Sequence, residues 1–405
     1  MSKHGVGGVE PSKLVIVGNT SEDPFAIDLA FSLGQTQDIA DLISLKTFAN
    51  SELCPRFISD ESDLDNIGSG LVGMTVVIVS TSNLFVSRQD LAMRNLLIAR
   101  SARENGAEQV ILVEPDLYFS AQDRGPNKSL GVTQQPRSVE DLKKFDGQPF
   151  SALLYAEMLK LAGVDRVVTV HNHSHSVQQI FKDVFKGAFH NLIPYDIYAD
   201  YLTQSNVLRE RENMVLVAPD AGAKNFVVGM ANQLGLPESN VLQMEKKRLG
   251  EREVEIKVEG SQEQAAKLIE GRDVVMFDDM VRTGSTVVNA FKVVQELKPS
   301  RAIFTVSHFY ASEEGRENMS HTAIDEILTL NSLPTVLNRD VQGRLRRKMV
   351  VLKIERWLAK NLARILDMDM RVDPDSAFYQ IDMSSTNPRF QRKIHSNDEL
   401  SALKR

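Results

Sequence analysis

The sequence predicts an α/β protein made of two similar domains, each a mostly parallel sheet flanked by helices. Short apolar runs of strand length, such as 75–79 and 109–113, alternate with longer segments such as 88–105, which has the spacing of an amphipathic helix. Strand–helix–strand order favours parallel neighbours, because such strands need crossover connections. The same rhythm begins again at 214–217, so we expect a second half like the first.

The expected elements follow the apolar pattern along the chain. Strands are predicted at 14–17, 44–48, 75–79, 109–113, 164–170, 214–217, from 241, from 274 and at 301–306. Helices are predicted at 24–33, 88–105, 150–161, 226–234, 287–297 and 351–366. The charged, alternating stretch 251–259 fits a β-ribbon or a flexible flap.

A chain of 405 residues is long enough for two domains with appendages. We expect a flexible leader over 1–12, a first domain over 13–190, a second over 191–366, and a C-terminal tail over 367–405. Within the first domain, 124–148 is polar and rich in Gly, Pro and Gln, which indicates an insertion or mobile loop.

Composition narrows the functional class. The 42% hydrophobic and 25% charged content is that of an ordinary globular protein, and the net charge of −7 argues against nucleic acid as a partner. A single cysteine, Cys54, excludes an internal disulfide and fits a reducing compartment. No apolar run reaches membrane-spanning length, and the N-terminus lacks the apolar core of a signal peptide. We therefore expect a soluble cytoplasmic enzyme without a membrane partner.

The stretch 274–286 carries the clearest chemistry. An apolar strand reaches Asp278 and Asp279, then turns through Thr283, Gly284, Ser285 and Thr286 into a predicted helix. Loop amides, hydroxyls and a helix N-terminus attract a phosphate, while carboxylates can hold ribose hydroxyls. The alternative interpretation is a buried strand followed by an ordinary capped helix, with solvated acids.

This pattern resembles the phosphoribosyl-diphosphate (PRPP) loop of type I phosphoribosyltransferases: two acids, three variable residues, then Thr-Gly-x-Thr. Five further stretches resemble motifs of the ribose-phosphate pyrophosphokinases (PRPP synthetases), in the family's order. They are 48–52, 113–125, 164–173, 218–222 and 245–248. The resemblance spans about 14–366 and implies two phosphoribosyltransferase-like domains.

The resemblance also implies an activity, the Mg²⁺-dependent transfer of the diphosphoryl group of ATP to ribose 5-phosphate, and a homo-oligomer. It assigns ribose-5-phosphate binding to Asp220, Asp278, Asp279, Thr283, Gly284, Ser285 and Thr286. It assigns nucleotide binding to Phe48, Asn50, Glu52, Gln122 and Asp123. It assigns catalysis to Lys246 and Arg248, and metal binding to His173 and Asp220.

Two of these assignments have plainer alternatives. Lys246 and Arg248 lie in a basic triplet, which is often only a solvated turn. His171, His173 and His175 would share one face if their segment were a strand, a geometry suited to zinc, but a polar loop after the strand is the commoner case.

Departures from the family pattern fall mainly on the nucleotide half. Ala121 replaces the arginine before Gln-Asp-Arg, His171 replaces an aspartate, and Arg282 replaces the acid before Thr-Gly. The ribose-5-phosphate site is therefore the firmer inference. The diphosphoryl donor could be ATP held differently, another nucleoside triphosphate, or none. A non-catalytic, regulatory paralogue is a second hypothesis. A phosphoribosyltransferase that consumes PRPP is a third, disfavoured by the two-domain length and the 245–248 segment.

Overall fold

A computed structural model describes residues 9–128, 131–132, 136–204, 211–248, 254–310, 312–368 and 379–383. The predicted leader residues 1–8 and most of the predicted tail, 369–378 and 384–405, lie outside the described residues. Within the described part the chain forms two compact α/β units. Unit 1 comprises the residues up to Ile193 together with a segment that begins at Glu355, and unit 2 comprises Pro194–Ile354 with 379–383.

Strands and helices are numbered in chain order. The strands are β1 Leu14–Gly18, β2 Ile43–Thr47, β3 Leu53–Phe57, β4 Thr75–Val79, β5 Gln109–Val113, β6 Arg166–Val170, β7 Phe189–Leu192, β8 Met214–Ala218, β9 Val241–Arg248, β10 Val254–Val258, β11 Asp273–Val281, β12 Arg301–Phe309, β13 Glu326–Leu330, β14 Met349–Lys353 and β15 Tyr379–Asp382. The helices are α1 Pro24–Ser32, α2 Ile39–Leu42, α3 Arg88–Glu104, α4 Val139–Lys144, α5 Ser151–Ala162, α6 His175–Phe185, α7 Tyr195–Gln204, α8 Lys224–Leu234, α9 Gln262–Ile269, α10 Ser285–Glu296, α11 Glu313–Met319, α12 Arg339–Gln342 and α13 Glu355–Ile365.

Unit 1 is built on a five-stranded parallel sheet in the order β1-β4-β5-β6-β7, beside the separate antiparallel hairpin β2-β3. Its central strands are apolar on both faces, and β4 is buried throughout. Continuous apolar strands are typical of parallel sheets covered by helices on both sides.

Unit 2 holds an eight-stranded sheet in the order β10-β9-β8-β11-β12-β13-β14-β15. Its six central strands run parallel, and the two edge strands β10 and β15 pair antiparallel to their neighbours. The predicted fold class, with two similar domains on mostly parallel sheets, is confirmed. In both units an antiparallel strand pair follows the first parallel strand, which accounts for the similar rhythm of the two halves.

The C-terminal boundary predicted for the second domain, residue 366, differs from the structure, in which the main segment of unit 2 ends at Ile354. The predicted helix over 351–366 begins only at Glu355, because residues 349–353 form the buried strand β14. Helix α13 then belongs to unit 1, where its buried face, including Trp357 and Leu362, packs beside α1. A sequence pattern marks an apolar face but does not say which domain will cover it.

Three segments expected to lack regular structure contain it. The insertion 124–148 includes α4, whose N-cap Ser138 accepts a hydrogen bond from the Asp141 amide. The tail includes β15, which pairs with β14. Residues 11–13 form a 3-10 turn, and the Val9 amide donates to the Leu366 carbonyl. These short elements lack the long periodicity from which a sequence reveals structure.

Among the described residues, no helix is both long and apolar enough to cross a lipid bilayer.

Candidate functional site

The most distinctive site of unit 2 lies at the carboxyl ends of β8 and β11. The chain passes from β8 to β9 on one side and from β11 to β12 on the other, so the direction of strand addition reverses between β8 and β11. Crevices at such switch points are the usual ligand sites of open α/β sheets. The loop after β8 carries Asp220, and Asp278 and Asp279 lie near the end of β11, just ahead of the loop that leads to Thr286.

Three carboxyl groups lie at this switch point. Asp278 and Asp279 are partly buried near the end of β11, and the Asp279 amide donates to Asp278 Oδ1 at 2.9 Å. Burial raises the pKa of Asp278 well above its usual range, and the nearby charges of Asp279 and Asp220 raise it further. A group that binds here and offers cations or hydroxyl donors would relieve this repulsion.

Asp220 also shapes the loop after β8. Its Oδ1 accepts hydrogen bonds from the amides of Gly222 at 2.8 Å and Ala223 at 3.2 Å, which directs the chain into α8. The side chain is exposed, so its carboxylate faces solvent while one oxygen holds the turn.

The loop after β11 is held in place by α11. The carbonyl of Arg282 accepts a hydrogen bond from Ser312 Oγ at 2.8 Å, and that of Thr283 accepts one from Asn318 Nδ2 at 2.8 Å. Carbonyl oxygens repel a phosphate, so their engagement by α11 leaves the loop better suited to an anion.

Gly284 is required at the start of α10. Its φ of +73° lies in the left-handed region, and a Cβ placed there would come within 2.7 Å of Met319 Cε. The first amides of a helix have no intrahelical acceptor and carry partial positive charge. Thr283 and Ser285 are exposed beside them and Thr286 is half-buried, so hydroxyls and amides lie together at this helix end.

Arg282, which departs from the family pattern, is exposed, and its guanidinium lies 5.8 Å from the centroid of the Tyr310 ring. A cation at this distance over an aromatic face is attracted to the ring, so Tyr310 contributes to holding the Arg282 side chain.

The catalytic candidates lie on a β-ribbon. Lys246 and Arg248 are in β9, where they pair with Ile256 and Val254 of the antiparallel strand β10. The expected ribbon is therefore present over 254–258, whereas 249–253 lies outside the described residues, as do the side chains of Lys246 and Arg248.

Three nucleotide-binding candidates of unit 1 occupy one exposed hairpin tip. Phe48, Asn50 and Glu52 lie in the turn between β2 and β3, where the Phe48 amide donates to the Glu52 carbonyl at 2.8 Å. All three side chains are exposed, and Lys46 Nζ lies 5.7 Å from the Phe48 ring centroid. An aromatic ring beside polar groups can stack on a base and hydrogen-bond to it.

Gln122 and Asp123 follow β5 and are engaged within unit 1. Ser151 Oγ donates to Gln122 Oε1, and Ser174 Oγ donates to Asp123 Oδ2 at 2.8 Å. The second bond connects Asp123 to the loop that carries His173, so the ends of β5 and β6 meet here. Among the described residues, no hydrogen bond or ion pair is seen between these loops and the hairpin tip.

The three histidines do not form a strand face. Strand β6 ends at Val170, His171 is buried with a φ of +45°, and His175 is the first residue of α6. His173 is exposed in the loop between β6 and α6. The polar-loop alternative therefore describes this segment, which does not have the extended backbone through His175 that would align the three imidazoles.

The acidic site of unit 2 suits magnesium better than the loop of His173 does. Mg²⁺ takes oxygen ligands, usually one or two carboxylates with water and substrate phosphates, and Asp220 offers such a carboxylate. The imidazole of His173 is a softer ligand. In the part of the chain that the structure describes, no three His, Cys, Asp or Glu side chains form a metal-binding group by themselves.

Comparisons with known proteins agree with this architecture. Residues 194–337 match the phosphoribosyl transferase domain family. The ribose-phosphate pyrophosphokinase of Corynebacterium efficiens is 29% identical over 259 residues, 63% of this chain and 74% of the relative. That of Pyrococcus furiosus is 26% identical over 264 residues, 65% of this chain and 80% of the relative. The chain is a divergent relative of the ribose-phosphate pyrophosphokinases. The fold of phosphoribosylpyrophosphate synthetase from Mycobacterium smegmatis superposes with a TM-score of 0.66 at 21% identity, covering 88% of this chain and 99% of that one.

Sequence reasoning singled out the segment from Asp278 to Thr286 but missed the residues that hold its loop. Ser312, Asn318 and Met319, which hold the loop after β11, lie about thirty residues beyond it in α11. The only local signal was the capping pattern, in which Ser312 Oγ accepts from the Gly315 amide. Nothing in that pattern indicates which loop the helix will contact.

Proposed function

We propose that this protein is a ribose-phosphate diphosphokinase that transfers the diphosphoryl group of ATP to ribose 5-phosphate, giving PRPP and AMP for nucleotide biosynthesis. The observation that carries the proposal is the loop at the β8/β11 switch point. There, two acids precede a helix that begins after Gly284, and the carbonyls of Arg282 and Thr283 before it are hydrogen-bonded to Ser312 and Asn318. The pyrophosphokinase relatives supply the reaction class.

The acceptor site is assigned to unit 2. The 5-phosphate would lie against the start of α10, where the Thr283, Ser285 and Thr286 hydroxyls and the Gly284 turn offer donors. Asp278 and Asp279 would accept hydrogen bonds from the ribose hydroxyls, with Asp220 beside them. Each such bond replaces carboxylate repulsion by a favourable contact.

The nucleotide site is assigned to unit 1. Phe48 would stack on the base, with Asn50 and Glu52 as polar partners at the hairpin tip. Gln122 and Asp123 would contribute from the loop after β5, and their bonds to α5 and α6 hold them in position. Ala121 removes one cation that the family uses here.

In the reaction, the 1-hydroxyl oxygen of ribose 5-phosphate bonds to the β-phosphorus of ATP and loses its proton. The bond from that phosphorus to the α–β bridging oxygen breaks, and AMP leaves with the electron pair. Lys246 and Arg248 would stabilise the charge that develops on the transferred group. Bound Mg²⁺ would neutralise polyphosphate charge, with Asp220 and His173 as candidate ligands.

The decisive experiment incubates purified protein with ribose 5-phosphate, Mg²⁺ and each nucleoside triphosphate in turn, and measures PRPP and the nucleoside monophosphate. We expect equal amounts of both products with ATP. A calorimetric titration with ribose 5-phosphate alone measures acceptor binding separately. Asp279→Ala should lose that binding, which connects any activity to the proposed loop.

A non-catalytic, regulatory paralogue is the second candidate. It is favoured by Ala121, which removes a cation that the family uses at the nucleotide site. Ribose-5-phosphate binding without product from any donor would support this function and contradict the enzyme.

We also propose a cytoplasmic homo-oligomer without nucleic acid or membrane partners. Among the described residues, every exposed large apolar side chain lies between Ile27 and Leu161, in unit 1, including Phe31, Phe85 and Leu161 at 76–94% exposure. Exposed apolar side chains concentrated in one unit fit contact with another copy of the chain. Sedimentation should show a species heavier than the 45.2 kDa monomer. A monomer at all protein concentrations would contradict this assembly.

A further inference from the structure

Unit 1 contains a buried polar cluster that the proposed reaction does not use. It lies at the carboxyl ends of β1, β4 and β5, and each member is at most 2% exposed. Its members are Asn19, Ser80, Asn95, Glu114, Tyr118 and Tyr155.

Glu114 is the centre of this cluster. Its Oε2 accepts hydrogen bonds from Tyr155 Oη at 2.8 Å and Asn95 Nδ2 at 3.0 Å. Its Oε1 accepts one from the backbone amide of Tyr118, four residues along the chain. The carboxyl group therefore closes the first turn of the loop that leads to Gln122 and Asp123.

The rest of this loop packs on the same support. Phe119 has a φ of +60°, a left-handed conformation that a bulky residue adopts only where its surroundings hold it. Its ring lies 5.2 Å from that of Tyr155, and its carbonyl accepts from the Gln122 amide at 2.8 Å. Tyr155 thus contacts the strained residue and also donates to Glu114.

We propose that Glu114 is a positioning residue for the nucleotide loop, whose carboxyl group, held by Tyr155 and Asn95, sets the turn that presents Gln122 and Asp123. This inference rests on the proposed function, since it assigns the loop to the diphosphoryl donor.

The charge state of Glu114 follows from its surroundings. Burial raises its pKa to about 8, and Asp116 contributes, while the Tyr118 amide, Tyr155 and Arg88 oppose the shift. Arg88 and Asp116, the two charged side chains that act on it, form an ion pair with each other. Because burial is the larger influence, the folded protein keeps the Glu114 proton up to about pH 8, whereas the hydrogen bonds from Tyr118 and Tyr155 favour the anion.

The first test follows amide hydrogen exchange across 114–123 without nucleotide. Glu114→Ala should speed exchange at least tenfold, whereas Glu114→Gln, which keeps a neutral acceptor for the Tyr118 amide, should stay near wild type. Tyr155→Phe removes one hydrogen bond and is the variant to use if Glu114→Ala does not fold. Its control is Tyr198→Phe in unit 2, which removes the hydroxyl of another fully buried tyrosine, 3.1 Å from Ser307 Oγ.

The second test measures the KM for ATP in the same variants. In Glu114→Ala it should be about tenfold higher than in wild type, with an unchanged KM for ribose 5-phosphate, and in Glu114→Gln it should stay near wild type. Unchanged exchange in Glu114→Ala and Tyr155→Phe would overturn the proposal, as would faster exchange with an unchanged KM. If wild type uses no nucleotide, the proposed function fails, and with it the role assigned here. Faster exchange in the variants would then show that Glu114 holds a loop with another use.

Discussion

The two units share the chain order of their first four strands, although β9 joins the main sheet of unit 2 while the pair β2-β3 is separate in unit 1. In unit 1, β1 is followed by the antiparallel pair β2-β3 and then by β4; in unit 2, β8 is followed by β9-β10 and then by β11. Strand β4 ends at Val79 and is followed by Ser80 and Thr81, whereas β11 continues beyond Met276, its last residue paired with β8, to Asp278 and Asp279.

The surroundings of these two positions have opposite character. Ser80 and Thr81 are buried and satisfied internally, since Thr81 Oγ1 donates to Asp23 Oδ2 at 2.6 Å and Ser80 Oγ accepts from Asn19. Asp278 and Asp279 lie side by side near the end of β11, where burial and the charge of Asp279 raise the pKa of Asp278. The carboxyl edge of the sheet thus carries internal hydrogen bonds in unit 1 and a candidate ligand site in unit 2.

Removing an acid from the open site should have the largest effect on turnover. Asp279→Ala should lower turnover of ribose 5-phosphate at least about a hundredfold, because a contact to the reacting sugar is lost. The comparison variant in unit 1, Thr81→Ala, should change turnover only a few-fold. It should lower the melting temperature, because it deletes the hydrogen bond to Asp23. Steady-state kinetics and thermal unfolding distinguish the two. Equal losses in both variants would remove the difference between the units.

A substitution that blocks the turn at Gly284 should have the second-largest effect. Gly284→Ala combines a positive φ with a clash against Met319, so we expect it to weaken ribose-5-phosphate binding tens of times and to cost about 1–2 kcal/mol of stability. Gly271→Ala is the matched control, because Gly271 has the same φ of +73° but open space around its Cα. If the two variants bind ribose 5-phosphate equally well, the tight approach at Gly284 has no role in the site.

A smaller effect is expected from releasing the loop from α11. Asn318→Ala deletes one hydrogen bond to the Thr283 carbonyl, worth about 1 kcal/mol, and should raise the KM for ribose 5-phosphate about fivefold. The control is Asn105→Ala in unit 1, whose amide donates to the Ser101 carbonyl at the same 2.8 Å. An unchanged KM in Asn318→Ala would show that the loop keeps its shape without α11.

The buried carboxyl group of Glu114 should make the unfolding free energy of the protein depend on pH. The folded state keeps the Glu114 proton up to about pH 8, whereas the unfolded chain loses it near pH 4.5. The stabilisation is therefore complete below about pH 4.5 and is lost as the pH rises to about 8. The unfolding free energy of wild type should fall relative to Glu114→Gln by about 1 kcal/mol per pH unit in this window. Parallel pH profiles for the two proteins would contradict a buried neutral Glu114.

Much of the fold was predictable because apolar patterns are local. The strands at 75–79 and 109–113 and the helix from Arg88 were placed correctly from periodicity and flanking glycines. Strand β13 is as apolar as these but was missed, and β14 was read as the start of a helix. Short apolar runs fit either structure until the partner strand is known.

By itself the sequence determined the α/β class, the repetition of the strand plan and the motif with Asp278, Asp279 and Gly284, because each depends on residues close together in the chain. Only the tertiary structure decided that α13 packs in unit 1, that α11 holds the loop after β11 and that the Tyr155 hydroxyl donates to Glu114. Those contacts join residues that are far apart in the chain. The local sequence around each residue is compatible with several packing partners, and only the packing of the whole unit selects one partner.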